Sequence, residues 1–165
     1  MRTYLVTGAA GFIGANFLKY ILVKYGEDIK VIVLDKLTYA GNLGTIKSEL
    51  KDPRVRFVKG DIGNTELVSQ IFADYDIDFV VNFAAESHVD RSITNPQLFL
   101  ETNILGTQNI LNCAKIAWTI GTDKEGYPTY RSGKKYLQVS TDEVYGSLSK
   151  DYDEPHLLVI EDEVV

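Results

Sequence analysis

A short apolar run followed at once by three closely spaced glycines constrains the fold of this chain more than any other feature. Residues 3–7 lead directly into Gly8, Gly11 and Gly14, after which apolar residues recur at helical spacing. In such a strand–turn–helix, the glycines allow a tight turn, close approach of the backbone to a ligand, and close packing of the helix on the strand. The start of the helix then suits a pyrophosphate. Glycines so spaced also occur in ordinary β–α turns, so the pattern needs further support.

The end of the second predicted strand supplies that support. Asp35 follows this strand about 20 residues after Gly14, where an acidic side chain accepts hydrogen bonds from ribose hydroxyls. A carboxylate at this place repels a 2′-phosphate, so the pattern favours NAD over NADP, although the neighbouring Lys36 weakens that preference. Asp61, after the third strand, either holds the adenine amino group or caps a turn, and both interpretations stay open.

Short apolar runs alternate with segments of helical spacing along the whole chain. The runs are rich in β-branched residues and too short for ordinary helices, so we expect them to be buried strands. The strands are predicted at 3–7, 29–34, 55–58, 79–83 and 136–139, and the helices at 12–25, 66–75 and 96–118. This alternation predicts an α/β fold, a Rossmann-type doubly wound parallel sheet with helices on both faces and right-handed connections.

Capping residues, prolines and glycines indicate where helices begin and where loops interrupt the alternation of strands and helices. Asn95 is expected to cap the long third helix, with Pro96 in its first turn. The polar stretch 119–133 contains glycines and is predicted to be a loop. The pattern fails after residue 146. We therefore expect an NAD-binding domain over 1–148 and an acidic tail over 149–165.

Composition excludes several classes of function. The net charge is −6 and the basic residues are scattered, which argues against nucleic acid as a partner. No apolar run is long enough to cross a bilayer and no leader precedes the first strand, so we expect no membrane association and a cytoplasmic location. Cys113 has no second thiol to pair with and is expected to be buried, and no spacing suggests a metal site.

Dense polar runs follow the fourth and fifth predicted strands, at 82–92 and 140–146. The carboxyl ends of parallel strands face the crevice in which ligands bind. His88 in the first run is expected to be a packed, hydrogen-bonded histidine, because no second metal ligand is spaced near it. Asp142 and Glu143 in the second run either cap a turn or act as an acid and a base that eliminate water beside a sugar ketone.

These motifs together resemble the dTDP-glucose 4,6-dehydratase family of extended short-chain dehydrogenases. The resemblance covers residues 1 to about 148, and it is the joint presence of the motifs that makes it specific. They are the glycine turn at 8–14, DKLTYAGNL at 35–43, AAESHVDRS at 84–92, Thr102 with Asn103, and STDEVYG at 140–146.

The resemblance implies roles for individual residues. Thr141, Asp142 and Glu143 are implied to be catalytic: Asp142 protonates the C6 hydroxyl, Glu143 takes the C5 proton, and Thr141 orients the sugar at C4. NAD accepts the C4 hydride and returns it to C6, while Ser87 and Thr141 contact the nucleoside-diphosphate sugar. From the glycine turn and the resemblance together, the expected cofactor-binding residues are Gly8, Gly11, Phe12, Ile13, Gly14, Asp35, Lys36, Leu37, Thr38, Asp61, Ile62, Phe83, Ala84, Ala85, Glu86, Ser87 and Thr102.

The sequence departs from the family in one respect. The family carries a Tyr-x-x-x-Lys pair further along, beyond the STDEVYG motif, and then a C-terminal substrate domain, and this sequence ends before both. Tyr145 and Tyr152 are followed four positions later by Ser149 and His156, so neither supplies the pair. We expect the 165-residue polypeptide alone to be inactive, and turnover by the pure chain would contradict this.

Other functions also fit the sequence. A nucleotide-sugar 4-epimerase shares the cofactor turn but resembles this chain less at Asp142 and Glu143. A non-catalytic NAD-binding module needs neither carboxylate. Relatives commonly dimerise through helices, so a homodimer through the 96–118 helix is an expectation, although apolar residues at helical spacing also fit a core. The apolar residues on that helix are Leu98, Ile104, Leu105, Ile110 and Leu111.

Overall fold

The computed structural model describes residues 1–141, which form a parallel five-stranded sheet with helices on both faces. Its strands are β1 (Arg2–Thr7), β2 (Ile29–Asp35), β3 (Val55–Lys59), β4 (Phe79–Asn82) and β7 (Lys135–Gln138). The sheet order is β3-β2-β1-β4-β7, so the first strand is central and the chain winds outward in both directions. The predicted doubly wound Rossmann-type fold is confirmed.

The helices form two layers, one against each face of the sheet. Helix α1 (Phe12–Tyr25) packs with Val6, Val31 and Val33, while helix α2 (Thr65–Asp74) packs on the opposite face with Leu5 and Ile32. Successive strand residues point to opposite faces, so strands that are apolar throughout need cover on both sides. The remaining helices are α3 (Val89–Thr94), α4 (Pro96–Phe99), a π-helical segment (Leu100–Gly106) and α5 (Thr107–Trp118). The 3-10 turns at Gly26–Asp28, Leu43–Ile46 and Glu49–Lys51 lie between α1 and β3.

The stretch predicted as a loop at 119–133 contains a β-hairpin, so that prediction was wrong. Strands β5 (Thr119–Thr122) and β6 (Pro128–Tyr130) pair antiparallel around a turn that begins at Asp123. The Asp123 side chain accepts hydrogen bonds from two backbone N–H groups in this turn, and Gly126 has a φ of +90°. The hairpin is largely exposed, so its strands lack the apolar alternation by which sequence reveals a strand.

The helix predicted at 96–118 is helical along its whole length, but its type changes from α to π and back to α. Its π-helical part separates α4 from α5, and single π turns inside helices occur often at functional sites. Asn95 stands at the N-cap position with Pro96 behind it, as expected, but its side chain makes no capping hydrogen bond. Cys113 is buried, as predicted. Within residues 1–141, no helix is both long and apolar enough to span a membrane, and no cluster of three or more His, Cys, Asp or Glu residues suits a metal ion.

A cluster of Asp76, Asp78 and Lys134 connects strands at the edge of the sheet where those strands begin. The Asp78 carboxylate accepts a hydrogen bond from the Thr3 N–H at 2.7 Å and another from the Lys134 ammonium at 3.0 Å. Lys134 is largely buried and also pairs with the exposed Asp76. These contacts join the beginnings of β1, β4 and β7, whose residues are far apart in the sequence.

We predict that Asp78→Ala lowers the free energy of unfolding by about 1–3 kcal/mol, because it removes two hydrogen bonds and leaves Lys134 with one partner. The matched variant Asp76→Ala removes only an exposed partner and should cost about 0.5 kcal/mol or less. Urea unfolding of both variants measures the difference. Equal losses would mean that Asp78 holds nothing that Asp76 does not.

The same cluster predicts a dependence of stability on pH. Burial acts to raise the pKa of Asp78, but the Thr3 N–H and the Lys134 ammonium outweigh it and hold the pKa below its ordinary value of 3.8. A carboxyl with a lowered pKa stabilises the fold above its unfolded pKa, and this contribution is lost as pH falls through the folded pKa. The stability difference between wild type and Asp78→Ala should therefore be full near neutrality and shrink below about pH 4. A difference that stays constant through this range would contradict the ionic assignment.

Candidate functional site

The glycine turn between β1 and α1 lies against the end of β4. Gly8 has a φ of +64°, and a Cβ added there would lie 2.7 Å from the Ala84 nitrogen. A Cβ on Gly14 would lie 2.8 Å from the Ala9 Cα, so the helix could not approach the turn with any side chain at that position. These two glycines are therefore required by close contacts between backbone segments.

Helix α1 begins immediately after this turn without a side-chain cap. Gly11 occupies the N-cap position and, having no side chain, makes no capping hydrogen bond to the first N–H groups of the helix. Phe12 and Ile13 are both exposed there, at 83% and 61%. Uncapped N–H groups and the helix dipole together favour an anion.

Asp35 connects the glycine turn to the loop that follows β2. Its carboxylate is buried, with one oxygen accepting from the Ala10 N–H and the other from the Leu37 N–H, both at 2.8 Å. The Asn42 N–H also donates to the Ala10 carbonyl at 3.0 Å. The loop after β2 is thus held against the turn from two directions, and Asp35 lies where the sequence places a ribose-binding carboxylate.

Asp61 makes a turn contact and an ion pair. One of its oxygens accepts from the Gly63 N–H at 2.8 Å, and the other lies 2.6 Å from the Lys36 ammonium. Burial acts to raise the pKa of Asp61, but Lys36 and the Gly63 N–H outweigh it and hold the pKa below its ordinary value. The Gly63 contact is the turn cap that one of the two interpretations of this aspartate predicts, and the adenine contact stays a prediction. The ion pair was not predicted.

One cleft at the carboxyl edge of the sheet gathers most of the predicted cofactor residues. Its walls come from the glycine turn, the ends of β2, β3 and β4, and the π-helical segment. The predicted residues that line it are Gly8, Gly11, Asp35, Lys36, Thr38, Asp61, Ile62, Phe83, Ala84, Ala85, Glu86 and Thr102. The other predicted residues, Phe12, Ile13, Gly14, Leu37 and Ser87, do not line this cleft.

A second pocket adjoins the cleft and contains the predicted substrate residues. Ser87 and Thr141 both line it, and Ala84, Ala85 and Glu86 border both spaces. Thr141 is the last residue that the structure describes. Asp142 and Glu143, predicted as acid and base, lie outside the described residues, as does the predicted tail at 149–165.

Glu86 lies between the two spaces with an unsatisfied oxygen. Glu86 is only 6% exposed, and its Oε2 is buried with no hydrogen-bond partner among residues 1–141. The Asn103 side chain holds the backbone of Glu86, accepting from its N–H and donating to its carbonyl, both at 2.8 Å. A buried acceptor without a donor is costly, so this oxygen is suited to a ligand that donates a hydrogen bond.

A chain of polar side chains supports the floor of the cleft. Thr7 donates its hydroxyl proton to Asn82, and the Ala84 N–H donates to Thr7 at 3.2 Å. Asn82 and Tyr136 both donate to the Gln138 side chain, at 2.8 and 2.9 Å. Burial raises the pKa of Tyr136 to about 12, so this phenol stays a donor. Sequence reasoning missed this network, although polar residues inside strongly apolar strands are a signal for it.

The structure places two further residues of the run at 82–92, His88 and Arg91. His88 was expected to be packed and hydrogen-bonded, and this was wrong: it is exposed at the N-cap of α3 and its side chain makes no capping bond. The Arg91 guanidinium carbon lies 3.8 Å from the ring centroid of Tyr39. This stack joins the loop after β2 to the segment after β4, which flank the cleft.

The fold and this cleft define the class of the protein, a Rossmann-type domain with a ligand crevice above its central strand. The family model described as GDP-mannose 4,6 dehydratase matches residues 5–157, and the chain belongs to this family. This match, together with the dTDP-glucose 4,6-dehydratases that the chain resembles, confirms the resemblance drawn from the motifs.

Known proteins that this chain resembles include both dehydratases and epimerases. A dTDP-glucose 4,6-dehydratase of Xanthomonas campestris pv. campestris is 47% identical over 91% of this chain and 40% of the relative. The structure of a Bacillus anthracis dTDP-glucose 4,6-dehydratase in complex with NAD is 43% identical with a TM-score of 0.72, over 91% of this chain and 41% of that one. A Campylobacter jejuni UDP-Glc/GlcNAc 4-epimerase is 27% identical with a TM-score of 0.62, over 69% and 33%. The chain thus spans about 40% of the length of the dehydratases it matches.

We predict that Asn103→Ala exposes the Glu86 amide to exchange with solvent, because that N–H donates to the Asn103 side chain. Hydrogen exchange followed residue by residue by NMR should show loss of protection at Glu86 while the central strands stay protected. Asn109→Ala is the matched control, since Asn109 lies on the same helical stretch but donates to the Ile62 carbonyl. Unchanged protection of Glu86 in Asn103→Ala would show that other contacts hold this loop.

Proposed function

We propose that residues 1–148 are the NAD-binding domain of a nucleotide-sugar dehydratase that converts dTDP-glucose to dTDP-4-keto-6-deoxyglucose. The observation that carries the proposal is the cleft in which the glycine turn, the buried Asp35 carboxylate and the Glu86 loop meet. A dinucleotide needs a polarised helix start for its phosphates and an acceptor for its ribose, and this cleft has both. Family membership and the NAD complex of the Bacillus anthracis relative support the same cofactor.

The residues of the cleft fit NAD in three places. The uncapped start of α1 suits the pyrophosphate, Asp35 suits a ribose, and the unsatisfied Glu86 oxygen suits a donor on the other half of the cofactor. Asp61 and Ile62 lie on the same side of the cleft as Asp35 and suit the adenine. When bound, NAD supplies a hydride acceptor and donor. The chain contributes its placement beside the second pocket.

The residues of the second pocket act on the sugar in this proposal. Ser87 and Thr141 bind it, with Thr141 orienting it at C4. Glu143 takes the C5 proton of the 4-keto sugar, and Asp142 gives a proton to the C6 hydroxyl, which leaves as water. An acid and a base working in one step suit such an elimination because charge does not build up on either carbon. The roles of Asp142 and Glu143 rest on the sequence, in which they directly follow Thr141, because both lie outside the described residues.

Assembly and location complete the proposal. We place the protein in the cytoplasm, with a nucleoside-diphosphate sugar as its partner and neither nucleic acid nor membrane. A homodimer is supported by apolar side chains exposed along the helical stretch from α4 to α5, namely Leu100, Ile104, Leu105 and Leu111. Ile110, which was also expected on this face, is instead fully buried in the core.

The cofactor assignment predicts that the chain binds NAD in isothermal titration calorimetry and that Asp35→Asn weakens binding about tenfold. The variant loses charge-assisted hydrogen bonds to a ribose while remaining similar in shape. Asp28→Asn, in the 3-10 turn before β2, is the matched control and should bind as wild type. Absence of NAD binding by the folded wild-type chain would refute the assignment.

The reaction is tested with the protein purified from its source. Incubation with dTDP-glucose should give a product lighter by one water, seen by mass spectrometry. A product of unchanged mass but altered C4 configuration would indicate an epimerase instead. NAD binding with no conversion of any nucleotide sugar would favour a non-catalytic module.

A further inference from the structure

Lys36 is the one basic residue among the described residues that line the cofactor cleft. It directly follows Asp35 at the end of β2, the region in which Rossmann-type domains distinguish NAD from NADP. A cation at this place favours a 2′-phosphate, whereas a carboxylate disfavours it. The sequence alone therefore contains two opposing signals in adjacent residues.

The structure shows that the positive charge of Lys36 is paired with a carboxylate. The Lys36 ammonium lies 2.6 Å from Asp61 Oδ2, so its charge is paired with a carboxylate from the end of the neighbouring strand. Asp61 is itself fixed, because its other oxygen accepts from the Gly63 N–H. Strands β2 and β3 are paired in register up to Asp35 and Lys59, which brings the two loops side by side.

Asp35 is fixed as firmly on the other side. Its two oxygens accept from backbone N–H groups of the glycine turn and the following loop, so the carboxylate cannot swing away to admit a phosphate. The cleft therefore contains the Asp35 carboxylate, held in place by backbone N–H groups, and beside it Lys36, whose charge is paired with Asp61.

We propose that the Lys36–Asp61 ion pair is a specificity element for the cofactor. Asp61 engages the one basic side chain of the cleft that a 2′-phosphate would use, and the cleft therefore selects NAD against NADP. The inference rests on the proposed function, since it concerns the same cleft and the same cofactor.

The test compares dissociation constants for NAD and NADP by calorimetry in four versions of the full chain. These are wild type, Asp61→Asn, Lys36→Ala, and the double variant. Asparagine keeps an oxygen that accepts from the Gly63 N–H, so the turn should persist. Both cofactors carry the same adenine, so any loss of an adenine contact cancels in the NADP/NAD ratio.

We expect Asp61→Asn to shift that ratio about tenfold toward NADP, because a released ammonium forms a charge-assisted contact with the phosphate. The double variant should lose most of this gain, since the lysine that produces it is gone. Higher salt should also reduce the gain, because it screens the attraction between the half-exposed Lys36 ammonium and the phosphate. Lys36→Ala alone should leave the preference for NAD in place.

Three outcomes would overturn the proposal, and they are distinguishable. If wild type binds neither cofactor while folded, the proposed function fails and this inference fails with it. If wild type binds NAD but Asp61→Asn leaves the ratio unchanged, the ion pair does not select the cofactor and the proposed function stands. If the double variant keeps the full gain, the effect comes from removing the Asp61 charge and Lys36 plays no part.

Discussion

At Gly8 the first turn of the chain comes so close to the end of β4 that an added Cβ would lie 2.8 Å from the Phe83 carbonyl carbon. No side chain separates the two backbones. This contact fixes the distance between the start of α1 and the segment that follows β4. The width of the cleft depends on that distance, because Gly8 and Gly11 line it on one side and residues 83–86 line it on the other. Residues 84–86 also line the second pocket.

Around this contact the cleft is held mainly by hydrogen bonds between side chains and backbone. Asp35 accepts from the turn, Asn103 holds the backbone of Glu86, and Thr7 accepts from the Ala84 N–H. Each of these side chains thus fixes a backbone segment beside the cleft. Such an arrangement sets the shape of the site before any ligand arrives, which lowers the entropy that binding must overcome.

The sequence predicted those features that arise from local pattern. Helix α1 was predicted with its observed bounds because a glycine turn precedes it and its apolar spacing is regular. The hairpin at 119–130 was missed because exposed strands have no apolar alternation. The Lys36–Asp61 pair and the Asn103 contact join residues far apart in sequence, and only tertiary structure gives their distances. The prediction for His88 was wrong because histidine suits both core and surface, and only the fold shows that it lies at an exposed helix start.

The central position of β1 has a consequence for how the chain folds as it is synthesised. Among the strands of this sheet, β1 leaves the ribosome first and pairs with β2 on one side, but its other neighbour, β4, begins only at Phe79. Until then one edge of an apolar strand has no partner, and such an edge invites pairing with other chains. The Thr3 N–H finds its acceptor 75 residues later, at Asp78. Among the described strands, the central one therefore waits longest after its own synthesis to have both edges covered, and its second edge is covered only after residues 79–82 have left the ribosome.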